Sequence, residues 1–151
     1  MTSQANHPLP LNGNEQDIAW MRYALTLAEI AKNQGEVPVG AVLVKENQIL
    51  GEGFNRPIAL HDPTAHAEIQ AIRQATQNIG NYRLSDTTLY VTLEPCMMCR
   101  GAIIQARVSR VVFGAPLLRN EVNHHAQMVG GILAQDCSEQ LTQFFRLLRK
   151  F

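Results

Sequence analysis

Residues 88–113 read TLYVTLEPCMMCRGAIIQARVSRVVF. Thr88 to Leu93 is rich in β-branched and aromatic side chains, which fit a pleated, buried strand. Pro95 suits the opening of a helix, and the run from there to about Ala106 reads as one. Arg110 to Phe113 is a further strand, stopped by Gly114. Strand, helix and strand in so short a span point to an α/β layer architecture.

On the N-terminal side, Val39 to Val44 is another β-branched strand. Lys45 to Gln48 is a turn, and Ile49 to Phe54 is the hairpin partner. Before them, Met21, Ala24, Leu25, Ala28 and Ala31 recur at helical steps. Roughly Glu15 to Asn33 is therefore an amphipathic helix, ended by Gly35 and Pro38. Asn55 to His61 is a loop. Asp62-Pro63 looks like an N-cap and first helical position, opening a helix with Ala65, Ile69, Ile72 and Ala75 on its apolar side. Gly80 and Asn81 break that helix. Beyond Gly114, a short strand over Gln127 to Val129 precedes a last helix striped by Cys137, Leu141, Phe144, Phe145 and Leu148. The order predicts a three-layer α/β/α domain on one mixed, about five-stranded sheet. It occupies residues 15–151, behind a flexible tail of residues 1–14.

The chain has 151 residues, 46% of them hydrophobic and 17% charged, with 13 Lys plus Arg against 13 Asp plus Glu. That is the profile of one globular domain. Zero net charge gives no bulk attraction for nucleic acid, so such a partner must be met by a local patch or a shaped pocket. Arg22, Arg56, Arg146, Arg149 and Lys150 are the cations available to form one. Residues 1–14 lack the basic start and apolar core of a signal peptide, and no apolar run reaches membrane-spanning length. Of three cysteines, two stand at Cys-x-x-Cys spacing. This favours metal or redox chemistry in a reducing compartment, so a cytoplasmic location is expected.

The chemistry concentrates in His66-Ala67-Glu68 and Pro95-Cys96-Met97-Met98-Cys99. Imidazole nitrogen and thiolate sulfur are the ligands zinc prefers. Cys96 and Cys99 are three apart, so one helical face presents both, in a first turn whose partial positive charge lowers a thiol's pKa. Three ligands leave the fourth position to water, as in a catalytic site; a structural zinc site normally closes with four. Zinc lowers the pKa of a bound water towards ~7, and Glu68 is placed to shuttle its proton. His66 and Glu68 do not share a helical face, so both reach one water only if their helix points end-on at the metal. A redox Cys-x-x-Cys would leave the His-x-Glu partner a coincidence. A structural zinc site would leave Glu68 idle. Cys137 reads as core, and His61, His124 and His125 as solvated; His7 belongs to the tail.

His-x-Glu followed by Pro-Cys-x-x-Cys is the pattern of the zinc nucleobase deaminases. From about Trp20 to Phe113, and again over the last helix, the chain resembles the bacterial tRNA-specific adenosine deaminases. The most specific segments are Glu36-Val37-Pro38-Val39-Gly40-Ala41-Val42 and His61-Asp62-Pro63-Thr64-Ala65-His66-Ala67-Glu68. Gly53-Phe54-Asn55-Arg56-Pro57, Leu89 to Cys99 and Arg110 to Gly114 add to them. The resemblance implies a cytidine-deaminase-like fold and a cytosolic homodimer with one zinc per subunit and no organic cofactor. It implies hydrolysis of adenosine to inosine at the wobble position of a tRNA anticodon loop, by zinc-activated water with Glu68 as proton shuttle. Asn55 would bond the flipped purine, Val37 would pack on its face, and Ala67 and the Cys96 backbone would orient it. Arg56, Pro57 and Ile58 would line the channel for flanking nucleotides. Phe144-Phe145 with Arg146 would contact neighbouring bases, unless the two rings belong to the core. Two alternatives stay open: a deaminase of a free nucleobase or nucleoside, of guanine or cytosine type, and a catalytically silent RNA-binding partner.

Two departures stand out. In the family, Phe-Gly-Ala leads into an acidic residue and a Lys-Thr-Gly-Ala-x-Gly-Ser loop. Here Gly114-Ala115 runs into Pro116-Leu117-Leu118-Arg119, which reads as loop residues omitted rather than deleted, with Leu117 to Glu121 the remnant of a helix cut short. Arg100 is bulkier than the small residue expected beside Cys99, and is read as a dimer contact or a phosphate partner.

Overall fold

The computed structural model describes residues 13–117 and 127–148. A five-stranded mixed sheet has the order β2-β1-β3-β4-β5. Its strands are β1 (Gly40–Lys45), β2 (Gln48–Phe54), β3 (Thr88–Leu93), β4 (Arg110–Ala115) and β5 (Gln127–Val129). β1 runs antiparallel to β2 and β3, while β3, β4 and β5 are parallel. Glu46 and Asn47 turn the hairpin with φ of 51° and 59°, the left-handed backbone a tight hairpin needs. The helices are α1 (Gly13–Asn33), the single turn α2 (Pro57–Leu60), α3 (Ala67–Ile79), α4 (Met97–Ala106) and α5 (Ala134–Leu148).

Strand alternation builds two cores. Ala41, Leu43, Leu89, Val91 and Val111 face Ala67, Ala71, Ala75, Ile103 and Ala106 of α3 and α4. Val42, Val44, Tyr90 and Val112 face Met21, Ala24 and Leu27 of α1 and Cys137 of α5. The three-layer α/β/α architecture expected from the sequence is thus present. Cys137 is 1% exposed, which matches its reading as core. No helix among the described residues is long and apolar enough to cross a membrane.

Several boundaries differ for identifiable reasons. α1 begins at Gly13, two residues early; the tail before it lies outside the described residues, as do His7, His124 and His125. α5 begins at Ala134, ahead of its apolar stripe. The loop after β2 holds the turn α2, whose amides at Ile58 and Ala59 donate to the buried Glu36 carboxylate at 3.1 and 2.9 Å. Gly114 does not stop β4, which continues to Ala115. It is glycine because a Cβ there would strike Cys137 Sγ and stand 2.7 Å from Thr92 O.

Past β4 the chain runs through Pro116 to Leu117, whose N–H donates to Glu94 Oε1 at 3.0 Å. The expected helix remnant beyond Leu117 lies outside the described residues.

One close approach bears on the site. A Cβ on Gly53 would stand 2.5 Å from Gln70 Cβ and 2.7 Å from Ala67 O, in the first turn of α3. Gly53→Ala is expected to destabilise by about 1–3 kcal/mol through overpacking, seen as a lowered melting temperature. An unchanged melting temperature would show that α3 can retreat freely.

Candidate metal centre and active site

The two signature segments sit at helix starts, as the sequence requires, but α3 starts later than expected. Asp62 Oδ1 accepts from Thr64 N at 2.9 Å and from Thr64 Oγ1 at 2.7 Å. This local turn competes with helix formation and delays α3 to Ala67. His66 becomes its N-cap, with extended backbone (φ −73°, ψ 157°). Cys96 holds the same position on α4, at φ −71°, ψ 173°. Neither side chain caps its own helix, so both are free to turn toward a shared point. Glu68, in the first turn of α3, reaches the same place, where it hydrogen-bonds Cys99.

His66, Cys96 and Cys99 place their ligand atoms within 4.8 Å of one another. His66 Nδ1 lies 3.6 Å from Cys96 Sγ and 3.5 Å from Cys99 Sγ. Zinc–sulfur and zinc–nitrogen bonds of roughly 2.3 and 2.0–2.1 Å at a tetrahedral angle span about 3.6 Å. The triad therefore fits a tetrahedral zinc. No fourth His, Cys, Asp or Glu joins the cluster among the described residues.

Burial lowers the pKa of His66 and so favours the neutral imidazole a metal needs. Cys99 departs from expectation. Burial, with Glu68 and Cys96 adding to it, pushes its thiol up rather than down. Desolvation outweighs the helix terminus; a bound cation would invert the preference and favour the thiolate. Glu68 is 4% exposed. Burial pushes its carboxyl up to about 7, against the pull of its own backbone N–H and a hydrogen bond with Cys99. A carboxyl so placed can take and return a proton near neutral pH.

Around this centre, Asn55 Oδ1 accepts from Ala67 N at 2.9 Å, which leaves its amide nitrogen as the outward donor. Val37 is half-buried against the core beside α3. Arg56 lies over the Phe54 ring at 5.6 Å, Pro57 opens α2, and Ile58 is 67% exposed. Phe144 is buried and packs edge-to-face on Phe145, so the core reading holds for Phe144 alone. The exposed Phe145 and Arg146 line a shallow depression with Leu141 and Thr142, in the layer opposite α3. Arg22 is exposed on α1, while Arg149 and Lys150 lie outside the described residues. His61 is exposed, as read.

Arg100 is a correction. It is 2% exposed and bound to Glu94 at 2.6 Å, so it is neither a phosphate partner nor a surface contact. Sequence reading missed this pair and the Glu36 clamp. Their only signal was an acidic residue inside an otherwise apolar segment.

The chain matches the model of the cytidine and deoxycytidylate deaminase zinc-binding region over residues 14–115. It is 48% identical to a tRNA-specific adenosine deaminase of Haemophilus influenzae, over 91% of this chain and 87% of the relative. With that of Bacillus subtilis it shares 43% identity, over 89% and 92%. A solved structure from work on A-to-I editing by tRNA:A34 deaminases at the wobble position of transfer RNA is 37% identical, with a TM-score of 0.78 over 82% of this chain and 99% of that one. The matched span contains His66, Glu68, Cys96 and Cys99. The chain belongs to the cytidine and deoxycytidylate deaminase family, on the branch of the bacterial tRNA-specific adenosine deaminases.

Proposed function

We propose that this protein hydrolyses adenosine to inosine at the wobble position of a tRNA anticodon, releasing ammonia. The observation that carries the reading is the convergence of His66, Cys96 and Cys99 within 4.8 Å beside a buried Glu68, in a chain 48% identical to a tRNA-specific adenosine deaminase.

His66 Nδ1 and the two sulfurs would hold zinc. When bound, it supplies a water acidic enough to ionise near neutral pH. Glu68 would accept one proton of that water as its oxygen adds to the six-position carbon and pass it to ring nitrogen one, then carry the added hydroxyl's proton to the departing amine as the carbonyl forms. The carboxyl ends as it began, so one water enters and one ammonia leaves. Asn55, with its oxygen pinned by Ala67 N, presents its amide nitrogen to the purine while Val37 covers one face. Ala67 and the Cys96 backbone set the ring's orientation. Arg56, Pro57 and Ile58 guide the flanking nucleotides, and Phe145 and Arg146 meet bases further along. An adenosine in a loop costs less to unstack than one in a duplex, and its splayed neighbours supply the contacts that a neutral chain needs. The assembly proposed is a cytoplasmic homodimer with one zinc per subunit.

Ammonia release decides between substrates. An anticodon stem-loop with adenosine at the wobble position is expected to turn over far faster than free adenosine, guanine or cytosine. Faster turnover of a free base or nucleoside would replace the tRNA reading. Full zinc content with no turnover of any of them would favour a silent RNA-binding role.

A further inference from the structure

Behind the ligands lies a charged pair that the chemistry above does not use. Glu94 and Arg100 are 4% and 2% exposed. Desolvating two opposite charges is costly, and an apolar pair of equal volume would serve packing at least as well. The contacts show what the charged pair adds. Arg100 Nη2 donates to Glu94 Oε2 at 2.6 Å, and Nε donates to Pro95 O at 2.9 Å. The Arg100 backbone N–H donates to Cys96 O at 2.9 Å. The guanidinium thus fastens Glu94 and Pro95, the two residues that lead into Cys96, while the bond to Cys96 O is the ordinary first rung of the helix. Pro95 precedes the helix, so its carbonyl has no place in the intrahelical ladder, and the guanidinium takes that role. Glu94 in turn grips the exit of β4. Its N–H donates to Ala115 O at 2.8 Å, and Oε1 accepts from Leu117 N at 3.0 Å.

The three ligands differ in how firmly the fold holds them. Cys99 is inside α4 and fully buried, and His66 adjoins an α3 locked against Gly53 and Asn55. Cys96 is half-buried, joins the helical ladder only through its carbonyl, and has no side-chain capping bond. It is the ligand most in need of outside restraint.

We propose that Arg100 is a positioning residue for the metal centre: its planar fork fixes the Glu94-Pro95-Cys96 turn against the end of β4 and keeps the Cys96 sulfur in range of a metal shared with His66 and Cys99. The inference rests on the zinc reading of that site. Residues that orient ligands from behind typically change metal affinity by about 10- to 100-fold when lost.

The test compares the parent protein with Arg100→Lys and with the double variant Glu94→Gln/Arg100→Met. The double variant removes both charges together and keeps an amide oxygen for Leu117 N. Zinc affinity is measured by chelator competition, and cobalt substitution reads the sulfur-to-metal charge-transfer band. In the double variant, zinc should bind about 10- to 100-fold more weakly with a diminished or shifted cobalt band, while the metal-free protein still melts cooperatively. Arg100→Lys keeps the charge but lacks the rigid fork, so an intermediate loss is expected; it decides the matter if the double variant does not fold. Affinity within twofold of the parent and an unchanged band, in whichever variant folds, overturns the proposal. A parent protein without any sulfur-to-cobalt band would instead overturn the zinc reading itself.

Discussion

Glu68→Ala is expected to retain its zinc and to lose inosine formation by about three to four orders of magnitude. The carboxylate is not among the three ligand atoms that define the metal cluster, so removing it leaves that set intact. What disappears is the buried carboxyl that, among the described residues, stands against the cluster and could take a proton from water and return it to the amine. Metal analysis of the purified variant and a stem-loop assay are the two measurements. Turnover near the parent's level, with zinc bound, would remove Glu68 from the mechanism. Loss of zinc would instead make the carboxylate part of the metal site.

The second large effect is on the metal itself. Cys96→Ala leaves one imidazole and one sulfur, too few to hold a tetrahedral ion against water. Zinc content and activity should both fall to background, whereas Glu68→Ala separates the two. A Cys96→Ala protein that keeps stoichiometric zinc would show that another group completes the site, and the three-ligand description would fail.

The fold was legible where periodicity and burial coincide. Thr88 to Leu93 was read to the residue because its apolar side chains, Leu89, Tyr90, Val91 and Leu93, all pack against one core or the other. Boundaries failed where a local motif has two meanings. Asp62-Pro63 offers the chemistry of a helix cap, yet the Asp62 carboxylate is engaged by Thr64 within a turn, and the helix waits for His66. Gly114 looks like a strand stop, but it marks a close pass of α5.

In the site, the clustering of His66, Cys96 and Cys99 was legible because metal-ligand chemistry restricts residue type and spacing together. Glu36 was not, since the amides it receives lie 22 and 23 residues away. Arg100 was misread because an arginine in sequence gives no sign of burial. Its carboxylate partner sits only six residues back, yet helix spacing rules pair residues three and four apart, and this contact reaches beyond the helix into the strand end.

His66 and Cys96 stand 30 positions apart on different helices of one layer, and nothing in an unfolded chain would keep them together. An ion that bridges them is a cross-link as much as a reagent. It closes a long loop and favours the folded ensemble by mass action. Resistance to unfolding would then depend on how much free zinc the surroundings supply, so the metal-free protein, still cooperatively folded, would melt at a lower temperature than the loaded one.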